Sequence, residues 1–123
     1  MDLLPTFAGL AGGQVPQDRK IDGLDVWPVL AGEKQSPHKY FFYHARDELR
    51  AVRSGDWKLH LGKGKPKELY DLSEDIGEKK NRLGQHSEIA EELLEAAKTF
   101  TKEVEANRRP AAFVEDAKPL SMQ

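Results

Sequence analysis

The side chains with the most chemistry to offer lie between positions 44 and 60, where His44, Arg46, Arg50, Lys58 and His60 follow one another in short steps. Guanidinium, ammonium and imidazole groups are the donors that hold an oxyanion such as sulfate or phosphate. The surrounding charge fits that use. Residues 38–67 carry eight basic and three acidic side chains, a balance of +5, whereas 1–37 stand at −2 and 68–123 at −5. An anionic ligand is favoured in the middle third and disfavoured in the tail. Nucleic acid is not expected, because no basic helix or repeated aromatic–basic pattern accompanies the patch. The plainer reading of His44 and His60 is a surface or interdomain contact. The sharper reading places both on an edge that grips an anionic substrate.

Other chemistry is sparse. The chain has no cysteine, which removes disulfides, thiolate metal sites and a Cys nucleophile together and leaves the redox compartment open. Glu91, Glu92 and Glu95 have the spacing of a solvated helix face, not of a convergent metal cage. Gly62-Lys63-Gly64-Lys65 lacks the spacing and the Ser or Thr of a phosphate-binding loop, so Lys63 to Lys67 read as a mobile hairpin loop. His38 and His86 read as loop or helix-entry residues. No catalytic residue and no metal ligand is assigned.

The elements that must position these groups follow from periodicity. Leu3, Leu4, Phe7, Ala8, Leu10 and Ala11 recur at helical spacing, with Asp2 as N-cap, Pro5 in the first turn and Gly12-Gly13 as a stop. Gly12 to Pro37 is a long connector with an apolar insert at Leu24, Val26, Trp27, Val29 and Leu30, which makes most sense on the surface of a larger body. Four short strands follow: Tyr40–Tyr43, Leu49–Arg53, Trp57–Leu61 and Glu68–Leu72, with Ser54-Gly55-Asp56 as a hairpin turn. Tyr40, Phe42 and Trp57 belong to the sheet's core. From Ser87 a long helix carries an apolar stripe of Ile89, Leu93, Ala96, Phe100 and Val104, and Asn107-Arg108-Arg109-Pro110 ends it. The fold class is α+β: a small antiparallel sheet of about four strands with a long C-terminal helix packed on it. The expected divisions are 1–37 (edge helix and connector), 38–109 (sheet and helix) and 110–123 (flexible tail). No apolar run approaches the roughly 20 residues of a membrane span, and the acidic start shows no secretory leader; localisation stays open.

Four phrases, in order, carry a family resemblance. They are Asp2-Leu3-Leu4-Pro5-Thr6, the connector from Asp22-Gly23 through Pro28 and Leu30 to Gly32, Ala51-Val52-Arg53-Ser54-Gly55-Asp56-Trp57-Lys58-Leu59, and Glu68-Leu69-Tyr70-Asp71-Leu72 followed by Asp75, Glu78 and Asn81. Together they resemble the C-terminal stretch of sulfatases of the arylsulfatase type, within the alkaline-phosphatase-like superfamily. Two departures stand out: the family usually has Pro in the turn that reads Asp75-Ile76-Gly77-Glu78 here, and Arg82 intervenes between Asn81 and Leu83.

The resemblance implies a small C-terminal subdomain of a sulfuric ester hydrolase, whose family chemistry uses calcium and a formylglycine residue. The motif for that residue, Cys or Ser-x-Pro-x-Arg, has no counterpart, since Ser36-Pro37-His38 lacks the spacing and the arginine. No cofactor is therefore expected in this chain, which should be inactive alone. Its expected partners are the catalytic sulfatase domain, a sulfated small molecule or glycan, and, through uncovered apolar surface, a second copy. The competing readings are a stand-alone module for sulfated glycans and a part of a related phosphate or phosphonate ester hydrolase.

Overall fold

The structure, a computed structural model, describes residues 1–108. The expected tail at 110–123, and Arg109 and Pro110 of the expected helix end, lie outside the described residues. In chain order the elements are α1 (Leu3–Leu10), α2 (Trp27–Leu30), β1 (Phe41–Ala45), β2 (Glu48–Ser54), β3 (Trp57–Gly62), β4 (Lys65–Asp71) and α3 (Ser87–Ala106). The four strands form one antiparallel sheet in sequential order β1-β2-β3-β4. The α+β expectation is met. None of the described helices is long and apolar enough to cross a membrane.

All three hairpin turns have two residues, Arg46-Asp47, Gly55-Asp56 and Lys63-Gly64, because Ala45 opposes Glu48, Ser54 opposes Trp57 and Gly62 opposes Lys65. Tight turns of this kind need positive φ to match the strand twist. Arg46, Gly55, Lys63 and Gly64 supply it at 57°, 55°, 52° and 72°. The segment Lys63 to Lys67 is thus no loose loop: it is one tight turn and the start of β4, which begins at Lys65 rather than at Glu68.

The core is a row across the sheet. Phe42 opposes Val52, Val52 opposes Leu59, and Leu59 opposes Leu69, so all four point to one face. Helix α3 lies over that row through Ala90, Leu93 and Ala97, all buried. The two alanines let the helix backbone approach the sheet, and Leu93 fills the space between. Tyr40 and Trp57 pack at the rim of this cluster. The expected stripe was rotated slightly: Ala90 and Ala97 face the core where Ala96 was expected, and Val104 is exposed. A 20-residue helix is roughly 30 Å long, and its last turn, with Val104 49% exposed, lies beyond the core cluster.

The N-terminal part is held by polar contacts from the motif residues. Asp2 does not cap its own helix. Its backbone is already helical (φ −71°, ψ −17°), which turns the carboxylate away from the first N–H groups. Instead Asp2 Oδ1 accepts from the Leu24 N–H (2.9 Å) and lies 3.0 Å from His38 Nε2. Buried Thr6 donates to the Asp2 carbonyl (2.7 Å) and accepts from the Val26 N–H (3.0 Å). Gly23 permits the crossing: a Cβ there would lie 2.3 Å from the Met1 carbonyl oxygen. The remaining motif residues serve the other end. Asn81 Oδ1 accepts from Leu69 and Leu83 N–H, and the Arg82 N–H donates to the Leu69 carbonyl, so the chain after β4 folds back over that strand's outer edge.

Candidate oxyanion and sheet-face site

Alternation along β3 puts Lys58 and His60 on the face opposite α3. One carboxylate from outside the sheet meets both. Lys58 Nζ donates to Glu78 Oε1 at 2.6 Å, and His60 Nε2 lies 2.8 Å from Glu78 Oε2. The second contact is close but poorly aligned, and it buries His60 Nε2 against the Glu78 carboxylate. Lys58 Nζ also sits 4.9 Å above the Tyr43 ring, and the His60 ring meets Tyr70 edge-on at 5.5 Å. Glu78 reaches this position with φ 52°, a conformation uncommon in residues with a side chain. Burial pushes the Tyr70 phenol pKa up, reinforced by the acids Glu68, Glu78 and Asp75.

The hydrogen bond from Lys58 holds the Glu78 carboxyl below its usual range. Partial burial opposes this, and the charges of Lys58 and His60 reinforce it. The lowered folded-state pKa means that the clamp stabilises the fold above the ordinary glutamate value and stops doing so as pH falls through the depressed one. Glu78→Gln is expected to cost about 1 kcal/mol near neutral pH, the scale of a partly solvated charged hydrogen bond. The variant should also show a shallower loss of stability below pH 5. Urea unfolding between pH 7 and pH 3 checks both; parallel pH curves for variant and parent would contradict the assignment.

The structure does not bring the five sequence-derived residues into one patch. His44 follows Phe42 on the helix side of β1, its ring 5.7 Å from Phe100. Arg46 is exposed in the β1–β2 turn. Lys58 is engaged by Glu78. Arg50 and His60 do come together, in a shallow depression of about 480 Å³ lined by Glu48, Arg50, His60, Leu61, Gly62, Lys63 and Lys67.

Two β-bulges build that depression. Tyr43 opposes Ala51 but His44 opposes Leu49, so the β1–β2 ladder skips Arg50; His60 opposes Glu68 but Leu61 opposes Pro66, so the β3–β4 ladder skips Lys67. Pro66 supplies no N–H to a ladder, which is why a bulge tolerates it. Lys63 and Lys67 were not expected here. The clue in the sequence was Lys63-Gly64, a pair suited to a two-residue turn. Glu78 gave no local clue, being 20 positions from Lys58. Among the described residues, no group of three or more His, Cys, Asp or Glu side chains is arranged to hold a metal ion.

A four-stranded meander backed by one long helix, with a tethered apolar helix before it, defines a small α+β subdomain. No protein-family model matches the chain. Curated relatives and solved structures do. Arylsulfatase A of Bos taurus is 42% identical over 125 residues, spanning 80% of this chain and 24% of that protein. Steryl-sulfatase of Mus musculus is 31% identical over 143 residues, spanning 90% of this chain and 23% of that protein. The structure of BT4656 in complex with its substrate D-glucosamine-2-N,6-O-disulfate superposes with a TM-score of 0.62 at 29% identity, covering 86% of this chain and 24% of that one. The chain belongs to the sulfatase family, as the counterpart of its C-terminal part. It spans about a quarter of the length of the relatives it matches.

Proposed function

We propose that this chain acts as the C-terminal subdomain of a sulfuric ester hydrolase, completing the fold and forming one wall of its substrate pocket, with no turnover of its own. The observation that carries this reading is the N-terminal unit. Leu3, Phe7, Leu10, Trp27 and Leu30 are 61%, 60%, 52%, 46% and 67% exposed, although Asp2, Thr6 and Gly23 fix the backbone that presents them. A fixed apolar surface of this kind is an interaction surface. The relatives, about four times longer, contain the protein that would cover it. Calcium and formylglycine, implied by the family, find no fitting residues here: there is no Cys and no Ser-x-Pro-x-Arg, and no acidic cage among the described residues. That chemistry would come from the catalytic domain. Arg50 and His60 are the two of the five sequence-derived residues whose placement best supports contact with a sulfated substrate.

The test uses the purified chain. With an aryl sulfate and added calcium it should give no hydrolysis, and it should bind an apolar dye or self-associate through the N-terminal face. Replacing Leu3, Phe7 and Trp27 together by serine should abolish the dye signal. Hydrolysis that tracks the protein through purification, or dye binding indifferent to the triple substitution, would overturn the proposal.

A further inference from the structure

We infer that the outer edge of β1 pairs with the same edge of a second copy of this chain, antiparallel and centred on Tyr43, so that two four-stranded sheets become one. The two outer strands of the sheet are protected unequally. Over β4, Asn81 and the Arg82 N–H engage Leu69, and Pro66 and the bulge at Lys67 interrupt that strand's ladder. Strand β1 has neither device. It pairs with β2 alone, and among the described residues no backbone group outside the sheet bonds to it. The extra residue of the β1–β2 bulge, Arg50, lies on β2, so β1 itself runs without a break. Its sequence, Phe41-Phe42-Tyr43-His44-Ala45, holds no proline and no lysine, and all of it but Phe42 is exposed. An unpaired aromatic edge of this kind is a template for another strand.

Charge selects the partner and the register. In an antiparallel pair, directly opposed residues point to the same face, so a strand meets its own copy about one of its residues. Centred on Phe42, the pairing would set His38 against Arg46 and Lys39 against Ala45. Centred on His44, it would set Phe41 against Asp47 and Phe42 against Arg46. Centred on Tyr43, it sets Lys39 against Asp47, Tyr40 against Arg46 and Phe42 against His44, so each charge at the ends meets an opposite charge or a ring. Arg46 and Asp47 are exposed and make no ion pair or side-chain hydrogen bond among the described residues. Lys39 is 67% exposed and meets Glu92 only at the surface, at 3.2 Å, so its ammonium is free to turn. On the helix side, a groove of about 540 Å³ lies between the start of β1 and α3, with Phe42 stacked on Phe100 at 3.9 Å within it. The second copy's His44, opposite Phe42, would bring the wall that this groove lacks. The contact is isologous and closes on itself as a dimer.

Sedimentation equilibrium of the whole chain tests it. A dimer dissociating around 0.1 mM is expected, the weak class that a short edge contact supports. Lys39→Glu and Asp47→Lys should each weaken it roughly tenfold, since each turns two exposed attractions into repulsions. The double variant should restore it, and an equimolar mixture of the two single variants should form a mixed dimer. Amide exchange in β1 should slow as concentration rises. Circular dichroism of each variant reports whether the fold is intact, and the restored double variant separates charge pairing from damage. Changing Leu3, Phe7 and Trp27 together to serine removes association through the N-terminal face and should leave this dimer in place. A monomer at millimolar concentration would overturn the proposal. So would a dimer lost in the serine variant, one indifferent to the charge swap, or β1 amides protected in the dilute monomer, which would mean that another segment of the same chain holds the edge. None of these results depends on turnover or dye binding, so this proposal and the subdomain reading can fail separately.

Discussion

Leu93→Ala is expected to lower the free energy of unfolding by about 3 kcal/mol, the middle of the range for truncating a buried leucine. Leu93 is 1% exposed and is the large side chain that α3 presses into the row of Val52, Leu59 and Leu69. Its helical neighbours in the core, Ala90 and Ala97, are too small to lean into the vacated space, so a cavity would remain. A core this small has little redundancy, and domains of comparable size have total stabilities of only about 5–15 kcal/mol. Urea denaturation followed by circular dichroism gives the value. The comparison is Leu10→Ala, at a half-exposed position of α1, which should change stability by no more than about 0.5 kcal/mol. Equal losses in the two variants would mean that α3 does not hold the sheet as described.

Gly23→Ala should have its effect elsewhere. The added methyl would sit 2.3 Å from the Met1 carbonyl oxygen and 2.7 Å from its carbon, and both are backbone atoms. No side-chain rotation relieves that overlap, so the connector must lift off the start of α1. The hydrogen bonds from Leu24 N–H to Asp2 and from Val26 N–H to Thr6 would then be lost together. Hydrogen exchange should show faster exchange, by an order of magnitude or more, at the amides of Leu24 and Val26 and through α1, while the amides of Val52, Leu59 and Leu69 keep their protection. Slowed or unchanged exchange in the connector would show that Gly23 is not a contact point. Loss of protection throughout would show that the N-terminal unit and the sheet unfold as one.

Periodicity in the sequence was enough for the elements with strong alternation. Trp57, Leu59 and Leu61 announce the inner face of β3, and Ile89 through Phe100 announce a helix. The rotation of that helix was harder to read, since alanines at 90, 96 and 97 look alike to any hydrophobic count and only the sheet beneath decides which face is covered. Bulges were not legible at all. Arg50 and Lys67 leave their ladders because of pairing between strands, and no alternation within one strand records that. The candidate site suffered most from this. Five residues close in sequence were grouped as one patch, but strand alternation sends His44 to the helix side while Lys58 and His60 face away. The counter-charge of the last two comes from Glu78, beyond a turn and a whole further strand. The phrases behind the family resemblance proved to be structural in detail: Asp2, Thr6 and Gly23 join helix to connector, and Asn81 closes the edge of β4.

The strictly sequential order of the sheet has a bearing on how the chain reaches this state. Every strand pairs only with its neighbours in sequence, across turns of two residues, so each pairing closes a minimal loop and forfeits little chain entropy. Contacts that are close along the chain form quickly. The hairpins can therefore zip in succession, each offering the next a ready edge, and the one distant event is the landing of α3 on the finished sheet. Helix α1, joined to the remainder by a few polar contacts through Asp2 and Thr6, is expected to contribute almost nothing to that nucleus. Assembly of the sheet and its helix is thus expected to be a local affair within residues 40–106, with the apolar surface at the N-terminal end settling last.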